Sequence, residues 1–341
     1  MGCRSRARDL PGRVVTLSLV TGGAGFVGRR LVAALLARGA GVRVFDLKPL
    51  EGAETLIGSV EDLAALKAAM RGVDVIYHLA GDAQLWARDG DRFERINHQG
   101  TRNVLEAASA AGVRRLVHCS SLTTLVGRRT PVGASYADES IELGEGDMLG
   151  RYPRSKLLAE KAVNAAVASG LDAVIAIPTE PLGPGDENLT PPTRMIVDLV
   201  NGRIPATIDC MLNFVSVSSL AAGLIAVADR GRRGERYLLG GDNVSMARLL
   251  TEIEKQTGRS MPRTLLPYAV ALAAGVVDTK LVAPVTGRAP RAPLTGVRLA
   301  GRRVAFSSAK AERDLGWRSE PFESALGAAL EWLRAQGFVE F

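Results

Sequence analysis

Short apolar runs alternate with segments of helical period along the first half of the chain. Val15, Leu17, Leu19 and Val20 form one apolar run, and Thr21-Gly22-Gly23-Ala24-Gly25-Phe26-Val27-Gly28 follows at once. A helix pattern then covers residues 31–36. A second apolar run, residues 42–45, ends in Asp46 and is followed by Leu47. Residues 62–70 repeat with helical period, and Glu61 and Asp62 favour the positive end of that helix. Residues 73–79 read as a buried strand ending in His78-Leu79-Ala80-Gly81. A long helix over 97–111 and a strand over 116–119 follow, and the strand delivers Ser120 and Ser121. Another helix covers 152–168 and a strand covers 173–177. Strands alternating with helices at this spacing predict an α/β fold, a doubly wound parallel sheet with helices on both faces.

The texture changes after Pro178. Pro181, Pro184, Pro191, Pro192 and Pro205, with Gly183, Gly185 and Gly202, interrupt regular structure. Helices return at 194–200, 218–228, 246–256, 307–315 and 322–336, with short strands at 214–217 and 236–239 between them. This pattern divides the chain into a flexible tail (1–13), a dinucleotide-binding domain (14–178) and a third part that is mostly a smaller substrate-binding lobe and C-terminal helices (179–341). The apolar stretch 265–277 reads as lobe core, with peripheral membrane contact as the alternative. It ends at Asp278 and Lys280, short of the roughly 18–20 residues of a membrane span. The basic N-terminus leads into a strand pattern and does not read as a signal peptide.

Composition adds few constraints. The 341 residues, 47% hydrophobic, can bury a sizeable core. Cys3, Cys119 and Cys210 are widely separated, without metal or redox spacing, and fit a reducing, cytoplasmic setting. The net charge of +7 includes Arg4, Arg6, Arg8 and Arg13 and the pairs Arg128-Arg129, Arg232-Arg233 and Arg302-Arg303. No aromatic residues interleave with them, so they read as solvated surface and not as a nucleic-acid site.

Candidate chemistry begins at the glycines. Strand, glycine turn and helix form the context of a dinucleotide site. Glycine lets the backbone approach a diphosphate, and the helix N-terminus offers free N–H groups. Asp46, at the end of the second strand, stands where an acid binds the adenosine ribose, which favours NAD over NADP. Tyr152 and Lys156 are four residues apart on one helix face. A lysine there would lower the phenol pKa and prepare Tyr152 to exchange a proton with a hydroxyl or ketone. Ser121 can hold the same oxygen, with Ser120, Thr123 and Thr124 as rivals.

These residues carry a family resemblance. The turn 21–28, Asp46, His78-Leu79-Ala80-Gly81, Asn97-His98-Gln99-Gly100-Thr101-Arg102-Asn103, Ser120-Ser121, Tyr152-x-x-x-Lys156, Pro178 and Gly183-Pro184-Gly185-Asp186 resemble the extended short-chain dehydrogenases/reductases. The similarity runs from about residue 14 to the C-terminus. It implies a Rossmann fold binding NAD, less readily NADP, and makes residues 14–178 an NAD-binding Rossmann-type domain. Gly22, Gly25, Phe26, Val27, Gly28, Asp46, Leu47, Ser59, Val60, Leu79, Ala80, Gly81, Tyr152, Lys156 and Pro178 would line the cofactor. Ser59-Val60 stands where the family often carries an acid. Tyr152 would transfer the proton, Lys156 would lower its pKa, Ser121 would orient the substrate oxygen and Asn97 would support the site. No metal is implied. The family often pairs helices 97–111 and 152–168 of two subunits, which implies a homodimer.

Several stretches look closest to the hopanoid-associated sugar epimerase, dihydroflavonol-reductase-like and 3β-hydroxysteroid dehydrogenase branch. They are Gln84-Leu85-Trp86, residues 181–193, Leu212-Asn213-Phe214 and residues 234–241. Val215-Ser216-Val217-Ser218-Ser219 departs from the branch's usual His and paired Asp. Gln84, Trp86, Ser121, Thr123 and Thr179 are the candidate substrate contacts. Nucleotide-sugar members hold the diphosphate with an arginine just before the lobe strand, but Cys210-Met211-Leu212-Asn213 stands there. An uncharged, small-molecule substrate of sterol, hopanoid or polyketide type is therefore expected. A sugar epimerase or dehydratase with tightly bound NAD is the alternative.

Overall fold

The computed structural model describes residues 16–134 and 136–341. The proposed tail, Val15 and the four N-terminal arginines lie outside them. Seven parallel strands form the main sheet: β1 (Leu17–Thr21), β2 (Gly41–Asp46), β3 (Glu54–Ile57), β4 (Val75–His78), β5 (Arg115–Cys119), β6 (Ala173–Pro178) and, much later, β10 (Arg236–Leu239). Their order is β10-β6-β5-β4-β1-β2-β3. The chain winds outward in both directions from β1 and β4, so the crevice at the carboxyl ends of those two strands is the topological switch point. β4 and β6 are buried along their whole length, as strands covered on both faces must be.

Helices cover both faces. On one side, α2 (Leu63–Ala69), α3 (Gly100–Ala111) and α4 (Arg151–Ala168) enclose a core that includes Leu66, Val104, Leu116 and Val163. On the other, α1 (Phe26–Ala37), α6 (Val217–Arg230) and α11 (Ala309–Leu315) enclose Leu31, Val117, Leu224 and Trp317. Local signals explain the boundaries. Asp62 caps α2 by accepting from Ala65 N at 3.0 Å. Ser216 caps α6, and Gly112 closes α3 in the left-handed region at φ 64°.

A third core belongs to the lobe. It lies among β7 (Glu180–Leu182), β9 (Met211–Ser216), β11 (Asp242–Ser245), α5 (Pro191–Val200), α7 (Met246–Thr257) and α12 (Phe322–Ala335). The pair β8 (Ala206–Thr207) and β12 (Thr264–Leu265) borders it. A single division at Pro178 does not describe this arrangement. β10 and α6 lie beyond it in sequence, yet β10 pairs with β6 and α6 packs on α1.

Two expectations need correction. The helix expected over 97–111 begins earlier, as a π turn over Glu94–Gln99, and only then becomes α3. The stretch 265–277 is not lobe core. It forms α8 (Tyr268–Val277), which continues through a π turn (Asp278–Val282) into α9 (Ala283–Thr286), and most of its apolar side chains are exposed. α10 (Leu294–Ala300) packs back against it.

Candidate active site

The glycine turn sits in the switch-point crevice. Gly22 has φ +73°, and a Cβ there would lie 2.7 Å from Ala80 N, at the end of β4. A Cβ on Gly28 would lie 2.1 Å from the Gly22 carbonyl oxygen. Both positions therefore require glycine, the first for its backbone angle and the second for helix–turn packing. α1 follows Gly25 at its N-cap position, with no side-chain cap and no acid in its first turn, leaving its amide end available to an anion. Phe26 is buried beneath it and Val27 is half-buried. This cradle fits a dinucleotide diphosphate.

Asp46 buttresses the turn. Its carboxylate accepts from Ala24 N at 2.9 Å and from Lys48 N at 3.3 Å. Leu47 is exposed just beyond it. The Ser59 hydroxyl accepts from Glu61 N, while Val60 is buried against Gly100. Leu79, Ala80 and Gly81 line the other wall of the crevice, at the end of β4. Sequence reasoning missed a strap across the turn. Arg29, in the first turn of α1, pairs with Glu187 at 2.5 Å and donates to the Ala24 carbonyl at 3.0 Å. Arg30 donates to the Pro184 carbonyl. The Gly183-Pro184-Gly185-Asp186 segment is thereby held beside the turn.

Ser121, Tyr152 and Lys156 converge beyond β5, each only 8% exposed. Ser121 caps a short 3-10 turn (Leu122–Thr124), and Tyr152 and Lys156 lie on the first two turns of α4. The Tyr152 ring packs against Phe93 at 6.1 Å between centroids. The expected effect of Lys156 on the phenol is not what this geometry gives. Lys156 Nζ donates to the Cys119 carbonyl at 2.6 Å, and burial pushes the Tyr152 pKa up to about 12. The neighbouring Ser121 hydroxyl pulls in the other direction. Burial lowers the Lys156 pKa, opposed by Cys119 and Glu160.

The rivals of Ser121 separate cleanly. Buried Glu160, absent from the sequence-based expectations, accepts from the Ser120 hydroxyl and, at 2.8 Å, from the Thr124 hydroxyl. It also pairs with Arg236 of β10 at 3.2 Å. Thr123 donates to Ser121 Oγ at 3.1 Å and so supports it. Tyr152, Lys156 and Glu160 recur every four residues, a spacing that could have exposed the third member.

Asn97 lies inside the π turn and joins three segments. Its Oδ1 accepts from Asp82 N at 2.7 Å, and its Nδ2 donates to the Asp82 carbonyl and to Ser155 Oγ, both at 3.0 Å. Ser155 in turn donates to the Tyr152 carbonyl. The π turn thus ties the loop after β4 to the tyrosine helix. Behind it, His78 bridges Thr21 Oγ1 at 2.8 Å and Thr101 Oγ1 at 3.0 Å. Thr101 gives its own hydrogen to the Asn97 carbonyl, so the proton lies on His78 Nε2 and Nδ1 accepts from Thr21. Burial holds the His78 pKa down at about 3.

The remaining candidates border the crevice. Gln84 is exposed, with its N–H on Asp82, and Trp86 is half-buried in the same loop. Pro178 closes β6, and Thr179 follows it with a buried hydroxyl that meets no partner among the described residues. Next is Glu180, which also escaped the sequence reading. Its carboxylate accepts from Asn213 N, and burial pushes its pKa up to about 8. The approach 210–213 supplies no cation of its own. Arg303, from elsewhere in the chain, pairs with Asp209 beside Cys210 at 2.7 Å.

Comparison with known proteins agrees with this architecture. The NAD dependent epimerase/dehydratase family matches residues 18–240. Sterol demethylase protein B of Methylococcus capsulatus is 33% identical over 335 residues, covering 94% of this chain and 99% of its own. A 4-hydroxy-2-methyl-3-oxo-4-farnesyl-3,4-dihydroquinoline-1-oxide ketoreductase of Stigmatella aurantiaca is 32% identical, covering 88% and 91%. The crystal structure of gox2253 superposes with a TM-score of 0.82 at 32% identity, over 95% of this chain and 99% of that one. The chain belongs to the NAD dependent epimerase/dehydratase family, among the extended short-chain dehydrogenases/reductases.

Proposed function

We propose that the protein is an NAD-dependent oxidoreductase that interconverts a secondary alcohol and a ketone on an uncharged, apolar substrate of sterol, hopanoid or polyketide type. The observation that carries this reading is the convergence of Ser121, Tyr152 and Lys156 at the carboxyl end of the sheet, where the glycine turn also lies. A nicotinamide cofactor held by the glycine turn would supply or accept the hydride. Ser121 holds the substrate oxygen, and Tyr152 exchanges a proton with it. With the phenol at about 12, Tyr152 is protonated and suited to donating to a developing alkoxide. Lys156 brings positive charge to the phenolate that remains. Asp46 selects NAD by accepting from the ribose hydroxyls and repelling a 2′-phosphate.

The substrate class rests on the uncharged approach at 210–213, on the half-buried Trp86 and on the names of two relatives, a sterol demethylase component and a quinoline-oxide ketoreductase. A screen of sterol and polyketide ketones by NADH absorbance, beside sugar nucleotides, tests it. Tyr152→Phe should cut turnover by about 100-fold or more and leave NAD binding nearly intact. Turnover near the wild-type level would sink the mechanism.

Arg303 favours a second reading, because it is a cation close to the lobe strand. On that reading the protein is a nucleotide-sugar epimerase or dehydratase that recycles its own NAD. Stoichiometric NAD that survives purification and resists exchange would favour it over the dehydrogenase.

A further inference from the structure

The helix from Tyr268 to Thr286 is 19 residues long, and it is the one helix among the described residues long and apolar enough to cross a membrane. Only 11% of its apolar window is buried. Val270, Val277, Leu281, Val282 and Val285 face outward, the last at 86% exposure. A helix apolar on all sides needs a cover, and the rest of this chain gives it little.

Both ends of the helix return to the same body. At its start, Leu266 N donates to the Thr207 carbonyl at 2.7 Å, and β12 pairs with β8. Beyond its end the chain doubles back. Ala292 N donates to Asp278 and Leu294 N to the Thr279 hydroxyl. A helix tied this way lies along a membrane and not through it.

Charge selects the kind of surface. From Leu265 to Arg303 the chain carries six basic residues (Lys280, Arg288, Arg291, Arg298, Arg302 and Arg303) and one acid, Asp278. Asp278 is half-buried and bonded to Ala292 N. Lys280, Arg288 and Arg291 are exposed and join no ion pair among the described residues. Apolar side chains flanked by unpaired cations match the acyl and headgroup layers of an anionic bilayer. The position matters as well. On α10, Thr295 packs against Gly150, two residues before Tyr152, and Gly296 packs against Leu85. The apolar helix is therefore one helix away from the loop that carries Gln84 and Trp86 and from the start of the tyrosine helix.

We propose that the Tyr268–Thr286 helix docks the protein on an anionic lipid bilayer, lying in the plane of the interface on the side of the loop that carries Gln84 and Trp86. Delivery of an apolar substrate from that bilayer rests on the function proposed above, but docking does not. The experiment is flotation of the full chain with vesicles of phosphatidylcholine alone and of phosphatidylcholine with phosphatidylserine. The protein should float with the anionic vesicles and less so as salt rises. Val277→Glu with Leu281→Glu, two exposed positions, should weaken flotation about tenfold or more with an unchanged melting temperature. Failure of the wild type to float with either vesicle overturns the proposal. So does light scattering that shows a dimer dissolved by the same two substitutions, since a second copy would then be the cover. Retention in the membrane after alkaline extraction would make the helix a span and overturn it too. Flotation reads no turnover, so its failure leaves the oxidoreductase reading standing.

Discussion

Glu160 holds two hydroxyls and a guanidinium at once, in a place where an unpaired charge is costly. Glu160→Ala would leave half-buried Arg236 without its carboxylate, although Arg236 keeps the carbonyls of Glu139 and Ile141. Loss of one member of a buried pair costs about 3 kcal/mol, which urea unfolding should register. A loss within measurement error would mean that the two carbonyls suffice. Tyr152 and Lys156 were legible from their four-residue spacing together with the preceding dinucleotide pattern and the strand end that bears Ser121. Glu160 shared that spacing, but its partner arrives on β10, which local sequence cannot foresee. Glu180 carries a pH consequence. The folded protein keeps this proton up to about 8, whereas an unfolded carboxyl loses it near 4.5. Between those values the unfolded state binds fewer protons, so stability falls as pH rises through that window. Melting temperatures at pH 5.5 and 8.5 should show this decline, and Glu180→Gln should flatten it. An equal decline in the variant would assign it to other groups.

At the scale of elements, the glycine turn joins β1, β4 and α1 through contacts too close for any other residue. Gly28→Ala would place a methyl group on the Gly22 carbonyl and force the turn to open. Strain of about 1–3 kcal/mol should weaken NAD binding about tenfold, as titration calorimetry can measure. Asp46 is part of this unit, since it accepts from Ala24 N within the turn. Replacing it with a small residue should shift preference toward NADP and also loosen the turn. An unchanged preference would restrict Asp46 to the second role. The turn was legible because strand, glycines and helix are contiguous in sequence. The π turn over Glu94–Gln99 was not. Its widened coil turns Asn97 toward Asp82 and Ser155, partners from distant segments.

At the scale of the whole molecule, the chain leaves the main sheet after β6, builds β7, α5, β8 and β9 of the lobe, and returns through α6 as β10. A fragment that ends at Pro178 would lack α6 and α11 and expose the sheet face they cover. It should bind a hydrophobic dye and melt without cooperativity; a sharp transition would show that this first part folds alone. The same long-range logic explains why residues 265–277 misled. Apolar residues indicate that something covers them, but not that the cover belongs to the same chain. The buried strands pose a related problem. β1 and β4 are apolar toward both layers, so pairing shifted by two residues would lose little hydrophobic contact. His78 breaks that degeneracy. Aligned with Thr21, it finds one hydroxyl on the neighbouring strand and another on α3. Slipped by two, it would strand an imidazole in the core without partners. A side chain with no proposed part in the chemistry thus helps to hold the register of the sheet on which the chemistry stands.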